Sequence, residues 1–191
     1  MTQPPPRPPT ESIVVMGVSG VGKSIVAQGL AAATGWALAE GDAFHPAANV
    51  DKMRSGIPLD DEDRWPWLRA LRDWIGAQES QGRSSIVTCS ALKRSHRDVL
   101  REGNPSVRFF ALVANEEHLT DRVEHRGGHY MPASVLGSQL DILEPLGADE
   151  PGVRVPAEDN TQKAIAAAIA ALNLRRPPSG ADPQLTHGGP S

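Results

Sequence analysis

The chain has 191 residues, a formal net charge of -4 and a single cysteine, Cys89. This length suits one domain. The mild acidity argues against a surface built for nucleic acid or anionic lipid, and a single cysteine excludes an intrachain disulfide. No segment approaches the roughly 18 unbroken apolar residues of a membrane span and no secretory signal is legible, so we expect a cytoplasmic protein without a membrane or nucleic-acid partner.

Proline marks both ends of the chain. Five of the 17 prolines lie in residues 1–10 and four lie in residues 175–191. These tails hold too little apolar surface to offset the entropy of ordering them, so we predict disorder there and a folded domain over residues 11–174. The alternative for residues 4–9 is a polyproline helix that docks on a partner.

Between the tails, strand patterns alternate with helix patterns. Ile13 to Met16 is apolar throughout, which is typical of a strand buried on both faces, and Gly35 ends the helix that follows. Strands are predicted over residues 13–16, 36–39, 85–89, 107–113 and 153–155. Helices are predicted over residues 23–34, 60–79, 94–101, 115–126, 132–143 and 160–172. The alternation predicts an α/β fold with a parallel sheet of about five strands and helices on both faces.

A phosphate-binding motif follows the first strand. Its eight residues match G-x-x-x-x-G-K-[ST] between a strand and a helix, the context that this motif requires. They are Gly17, Val18, Ser19, Gly20, Val21, Gly22, Lys23 and Ser24. Backbone N–H groups would surround the phosphates, Lys23 would reach the β and γ phosphates, and the Ser24 hydroxyl would bind Mg²⁺. The sequence therefore predicts a P-loop NTPase fold that binds a nucleoside triphosphate with Mg²⁺, although the motif alone does not separate kinases, GTPases and mechanical ATPases.

Candidate acceptor-binding residues follow the second and third strands, because ligands of open parallel sheets sit at the carboxyl ends of the strands. Asp42 can accept a hydrogen bond from a substrate hydroxyl or hold a magnesium-bound water, or it is simply a turn residue beside Gly41. His45 contacts substrate or belongs to a loop. Lys93 lies where a substrate anion would rest, or it is a solvated lysine at a helix start. Cys89 we interpret as a small core residue.

Arginines supply the remaining candidates. Arg64, at the head of the helix over residues 60–79, can present a bidentate fork to a carboxylate or phosphate. Arg122 and Arg126 stand at i and i+4, where like charges repel, so the pair favours a bound anion. The glycine-rich loop that follows contains His129, which suits a helical lid over about residues 122–133 that closes on the triphosphate. The alternative is a solvated helix face.

These segments resemble those of the thermoresistant-type gluconokinases, P-loop small-molecule kinases in the group that also holds shikimate and nucleoside monophosphate kinases. The resemblance covers about residues 12–173. Beyond the phosphate loop, it rests on segments that include Gly41-Asp42 with His45-Pro46, Gly56-Ile57-Pro58-Leu59 with Asp63-Arg64, Cys89-Ser90-Ala91-Leu92-Lys93, and Gly147-Ala148-Asp149-Glu150.

The resemblance implies ATP-dependent phosphorylation of D-gluconate to 6-phospho-D-gluconate by a cytoplasmic homodimer, which would feed gluconate into central sugar metabolism. In our interpretation the catalytic residues are Lys23, Asp42, Arg122 and Arg126, the metal residues are Ser24 and Asp42, and the substrate residues are Asp42, His45, Arg64, Lys93 and His129. The sequence does not decide whether Arg64 or Lys93 binds the substrate carboxylate. Glu40 stands where related kinases often have Asp, which leaves the magnesium shell open. The alternatives are a kinase for another small hydroxy acid, such as shikimate, and a nucleotide-binding regulator without an acceptor.

Overall fold

A computed structural model describes residues 9–113, 133–157 and 161–174 of the chain. In these ranges five parallel strands form one sheet in the order β2-β3-β1-β4-β5. The strands are β1 Ser12–Met16, β2 Ala37–Ala39, β3 Ser85–Cys89, β4 Val107–Val113 and β5 Gly152–Pro156. The helices are α1 Lys23–Thr34, α2 Ala47–Arg54, α3 Asp61–Ser80, α4 Arg94–Arg101, α5 Ala133–Asp141 and α6 Thr161–Leu172, with a 3-10 turn over Gly41–Phe44.

The predicted α/β class and the parallel sheet are confirmed. The bounds of α1, β3, α4 and β4 are those expected from the sequence, and the other predicted elements within the described ranges shift by one or two residues at their ends. The sequence analysis did not predict α2, because the only fully buried side chain of this helix is Asn49 and no apolar periodicity marks it. The helix predicted over residues 115–126, the lid, and most of both tails lie outside the described residues.

The sheet separates two apolar layers. Strand β1 is central and all five of its residues are buried. Alternate side chains point to opposite faces, so Val15 packs with α1 and α6, whereas Val14 packs with α3 and α4. Within the described ranges, none of the helices combines the length and the apolar character that crossing a bilayer requires.

The register of the sheet brings the ends of three strands together. Met16, the last residue of β1, pairs with Cys89, the last residue of β3, and Ala39 at the end of β2 pairs with Val87. Because the strands are parallel, the segments that follow β1, β2 and β3 emerge at the same edge of the sheet. We therefore expect the functional site at this edge.

A buried ion pair joins α4 to the segment between α5 and β5. Arg97 Nε lies 2.6 Å from Glu150 Oε1 and Arg97 Nη2 lies 2.8 Å from Oε2, and the two side chains are 1% and 2% exposed. Arg97 Nη1 also donates to the Glu144 carbonyl at 3.0 Å. Burial alone would raise the pKa of Glu150, but hydrogen bonds from Arg97 and from the Gly147 N–H lower it below its usual value.

The pair predicts a large stability loss when one partner is neutralised. Glu150→Gln leaves the Arg97 guanidinium buried without its counter-charge, so the free energy of unfolding should fall by about 3 kcal/mol in denaturant titrations at neutral pH. Asp149→Asn is the matched control, because the neighbouring Asp149 pairs with Arg94 in solvent, where ion pairs contribute little. Equal losses in both variants would contradict the assignment.

Candidate active site

The phosphate loop runs from the end of β1 to the start of α1. Gly17 has φ +143, and a Cβ there would lie 2.7 Å from the Leu112 carbonyl oxygen, so only glycine fits. Gly22, with φ +104, leads directly into α1. Lys23 Nζ donates to the carbonyls of Gly17 at 3.1 Å and Val18 at 3.0 Å. The loop therefore curls around the amine of Lys23 and leads directly into the N-terminus of α1, the positive end of the helix, as a phosphate cradle requires.

Glu40 connects the phosphate loop to the sheet. Its Oε2 accepts hydrogen bonds from the Ser24 hydroxyl at 2.9 Å and from the Thr88 hydroxyl at 2.8 Å. Its Oε1 is buried, and no group in the described residues hydrogen-bonds to it. A buried oxygen normally has a partner, and a hydroxyl beside a carboxylate is an oxygen donor set that suits Mg²⁺ and its water ligands. The residues present therefore fit a magnesium ion at Ser24.

The sequence analysis named Asp42, not Glu40, as the carboxylate near this metal. Asp42 is exposed and lines the adjacent cleft, whereas Glu40 contacts Ser24 directly. Glu40 is the first residue after β2, where the rule that sites follow strand ends also applies, and the sequence analysis had noted it only as a departure from related kinases.

Gly41 fixes both carboxylates in place. Its N–H donates to Thr88 Oγ1 at 3.0 Å, and its carbonyl accepts from Trp67 Nε1 at 2.7 Å. A Cβ at this position would lie 1.9 Å from the Thr88 carbonyl oxygen, far inside van der Waals contact. The backbone after β2 is thus pressed against β3, and the two acids that flank Gly41 face the phosphate loop and the cleft.

An open cleft lies beside the phosphate loop. Its walls come from the loop itself, from the segment after β2, from α2 and α3, from the end of β3 and from α5. The lining residues are Ser19, Asp42, His45, Met53, Leu59, Arg64, Trp67, Ser90, Ser138 and Gln139. The cleft therefore brings together three of the predicted substrate residues, Asp42, His45 and Arg64.

Arg64 is a buried cation at the cleft wall. Its side chain is 5% exposed, and its Nε donates to the Leu59 carbonyl at 3.4 Å. No described carboxylate lies within ion-pair distance of its guanidinium, and burial lowers the pKa of the group. A buried charge without a counter-ion is costly, so this side chain is disposed to bind an anion in the cleft.

Lys93 occupies a different environment. Its Nζ donates to Asp61 Oδ2 at 2.7 Å, and this hydrogen bond lowers the pKa of Asp61. The Lys93 N–H donates to His96 Nδ1 at 3.3 Å, so the other ring nitrogen carries the proton and donates to Asp61 Oδ1 at 3.2 Å. The charge of Lys93 is thus matched within the protein, and Lys93 does not line the cleft.

His45 is a neutral side chain in the cleft. Its ring stacks on Trp67 with 4.2 Å between centroids, and its Nδ1 accepts a hydrogen bond from Asn49 Nδ2 at 3.4 Å. Burial lowers its pKa to about 4, with nearby Asp42 opposing this shift. At neutral pH the ring therefore offers hydrogen bonding and stacking without a positive charge.

Burial also raises the pKa of the Cys89 thiol, in agreement with a core role.

Gln139 is a cleft residue that the sequence analysis missed. Its side chain hydrogen-bonds to Ser19 of the phosphate loop, 120 residues earlier in the chain. No local pattern signals a contact over that separation. The remaining predicted site residues, Arg122, Arg126 and His129, lie outside the described residues, and their roles stay predictions.

Comparison with known proteins gives matches over most of the chain. Residues 13–146 match the family model described as an AAA domain. The chain is 51% identical over 146 residues to the gluconokinase of Gluconobacter oxydans (strain 621H), which covers 76% of this chain and 82% of that protein. It is 42% identical to the thermoresistant gluconokinase of Escherichia coli (strain K12), over 81% of this chain and 88% of that protein. The crystal structure of a gluconokinase from Sinorhizobium meliloti 1021 superposes with a TM-score of 0.79 at 44% identity, over 87% of this chain and 94% of that one.

The lowered pKa of His45 predicts a pH effect on stability. Between pH 6.5 and about 4 the unfolded chain binds a proton at His45 that the folded chain does not. Stability contributed by the neutral ring is therefore complete above pH 6.5 and is lost as the pH falls toward 4. In His45→Gln the melting temperature should fall less steeply over this pH window than it does in the parent protein. Above pH 7 the curves of melting temperature against pH should run parallel for the two proteins. Identical slopes for both proteins would contradict the shift.

Proposed function

This chain belongs to the gluconokinase family, and on that premise we propose that it transfers the γ-phosphoryl group of ATP to the C6 hydroxyl of D-gluconate. The observation that carries the proposal is Arg64, a buried guanidinium that faces a cleft beside the phosphate loop and has no described carboxylate partner. A polyhydroxylated acid supplies the anion that this position lacks. Its hydroxyl groups suit the polar side chains of the same cleft.

Two groups of residues would hold the two substrates. The phosphate loop and Lys23 would bind the ATP phosphates, with the positive end of α1 adding to the potential there. The cleft would bind gluconate, with its carboxylate on Arg64 and its C6 hydroxyl near Asp42. The bidentate fork of Arg64 matches the two oxygens of a carboxylate. Lys93, which is already paired with Asp61, is the weaker candidate for this role.

Phosphoryl transfer asks for little covalent chemistry from the protein. The transition state is loose, so most of the rate comes from positioning and from stabilising charge on the transferring group. Lys23 supplies that charge, and Asp42 orients the attacking hydroxyl and accepts its proton late. Arg122 and Arg126 are our candidates for further cationic donors from the lid.

Magnesium would bind at Ser24 and Glu40. When bound, Mg²⁺ neutralises phosphate charge and helps to orient the triphosphate. The Ser24 hydroxyl would be a direct ligand, and the unpartnered Oε1 of Glu40 would accept a hydrogen bond from a water of the metal shell.

A homodimer and a cytoplasmic location stay predictions from the family resemblance.

The direct test is an acceptor panel. ADP formation from ATP and Mg²⁺ is measured with gluconate, glucose, shikimate and nucleoside monophosphates. We expect kcat/KM for gluconate to exceed that for glucose by at least about 10³, because glucose leaves the buried guanidinium unpaired. Preference for shikimate would favour the related-kinase alternative, and acceptor-independent nucleotide binding without ADP release would favour the regulator.

Substitution of the two cations separates their roles. Arg64→Met keeps the apolar stem but removes the charge, so kcat/KM for gluconate should fall at least about 100-fold while the value for glucose changes little. Lys93→Met is the matched control and should cost much less. An unchanged gluconate-to-glucose ratio in Arg64→Met would mean that the carboxylate binds elsewhere.

The magnesium assignment predicts a defect that added metal repairs. Glu40→Gln keeps the shape of the side chain but removes its charge, so the Mg²⁺ concentration for half-maximal activity should rise about 10-fold or more. Activity should recover at high Mg²⁺. Glu62→Gln, on the exposed first turn of α3, is the control and should leave the Mg²⁺ titration unchanged. A loss of kcat that Mg²⁺ does not restore would argue against a metal-shell role.

A further inference from the structure

The side chain of Gln139 bridges α5 and the phosphate loop through two hydrogen bonds to one residue. Its Oε1 accepts from the Ser19 N–H at 2.8 Å, and its Nε2 donates to Ser19 Oγ at 2.9 Å. Gln139 is 6% exposed and lines the same cleft as Asp42 and Arg64. Its carboxamide therefore stands where the phosphate loop meets the acceptor cleft.

The Ser19 N–H is one of the backbone donors of the phosphate loop. A backbone amide has one hydrogen, so a phosphate oxygen in the loop competes with Gln139 for it. A hydrogen bond to a charged phosphate oxygen is roughly twice as strong as one to a neutral amide oxygen. Binding of ATP should consequently displace Oε1 of Gln139 from Ser19.

A displaced and buried carboxamide needs new partners. An unsatisfied polar group in this position is costly, and the hydroxyl groups of a ligand in the cleft would supply new partners. A carboxamide both donates and accepts, which suits a hydroxyl that also does both.

We propose that Gln139 is a positioning residue that exchanges Ser19 for a hydroxyl group of the acceptor when ATP binds. The exchange couples the two substrates, because ATP frees the carboxamide that the polyhydroxylated acceptor then uses. By linkage, the acceptor strengthens ATP binding by the same factor. This proposal rests on the proposed function, since it assumes a polyhydroxylated acceptor in the cleft.

The coupling is measured by calorimetry on the full chain. The dissociation constant of gluconate is determined with and without a saturating non-hydrolysable ATP analogue and Mg²⁺, and the analogue is titrated alone. In the parent protein the analogue should tighten gluconate binding at least about 5-fold. In Gln139→Leu this coupling factor should fall to within about twofold of one. The analogue alone should bind to this variant at least as tightly as to the parent, because the carboxamide of Gln139 no longer competes for the Ser19 N–H.

A control variant and a replacement variant make the possible results distinguishable. Gln78→Leu, near the opposite end of the strands, is the matched control and should retain the parental coupling factor. If Gln139→Leu does not fold, as judged by its melting temperature, Gln139→Asn serves instead, because it is one methylene too short to span to Ser19. Three results would overturn the proposal: the folded variant keeps the parental coupling factor, the parent protein shows no coupling, or the folded variant binds the analogue much more weakly than the parent does. If gluconate binds to no form of the protein, the proposed function fails, and the titrations with analogue alone still test the competition at Ser19.

Discussion

Parallel pairing of β2, β3 and β1 brings three loops to one edge of the sheet, and the contacts of Glu40 with the phosphate-loop helix and with β3 depend on that arrangement. The phosphate loop follows β1, Glu40 and Asp42 follow β2, and Ser90 follows β3. A single carboxylate oxygen of Glu40 then accepts from the phosphate-loop helix and from β3. Antiparallel pairing at either junction would send one of these loops to the far edge and separate the cradle from the cleft.

The distribution of charge in the described residues favours an anion in the cleft. Several buried or half-buried cations of the described residues have an acidic partner: Arg97 has Glu150, Lys93 has Asp61 and Lys52 has Asp63. Arg64 is the exception among the buried arginines of the described residues. The missing counter-charge of Arg64 lowers the stability of the folded protein, and an acidic ligand would restore that stability. The same side chain would therefore favour acidic ligands over neutral ones.

The sequence analysis located residues at the candidate site where their position follows from neighbouring residues or from strand ends. The phosphate loop is contiguous, and Asp42, His45 and Arg64 follow from their positions after a strand or at a helix head. It did not find Asp61 or Gln139 as partners of site residues, because those contacts join residues 32 and 120 positions apart. It also could not choose between Arg64 and Lys93, since that choice depends on which cation already has a carboxylate beside it.

The contact between Gly41 and Thr88 limits how the cleft can be redesigned. Since any side chain at position 41 would collide with the β3 backbone, the carboxylates beside it cannot be shifted by changing their own neighbour. The wall formed by Met53 and Leu59 is more permissive, because these apolar side chains come from α2 and from the segment before α3 and not from the sheet. An effort to evolve acceptance of shorter or longer sugar acids should therefore randomise that wall and keep the residues after β2 constant.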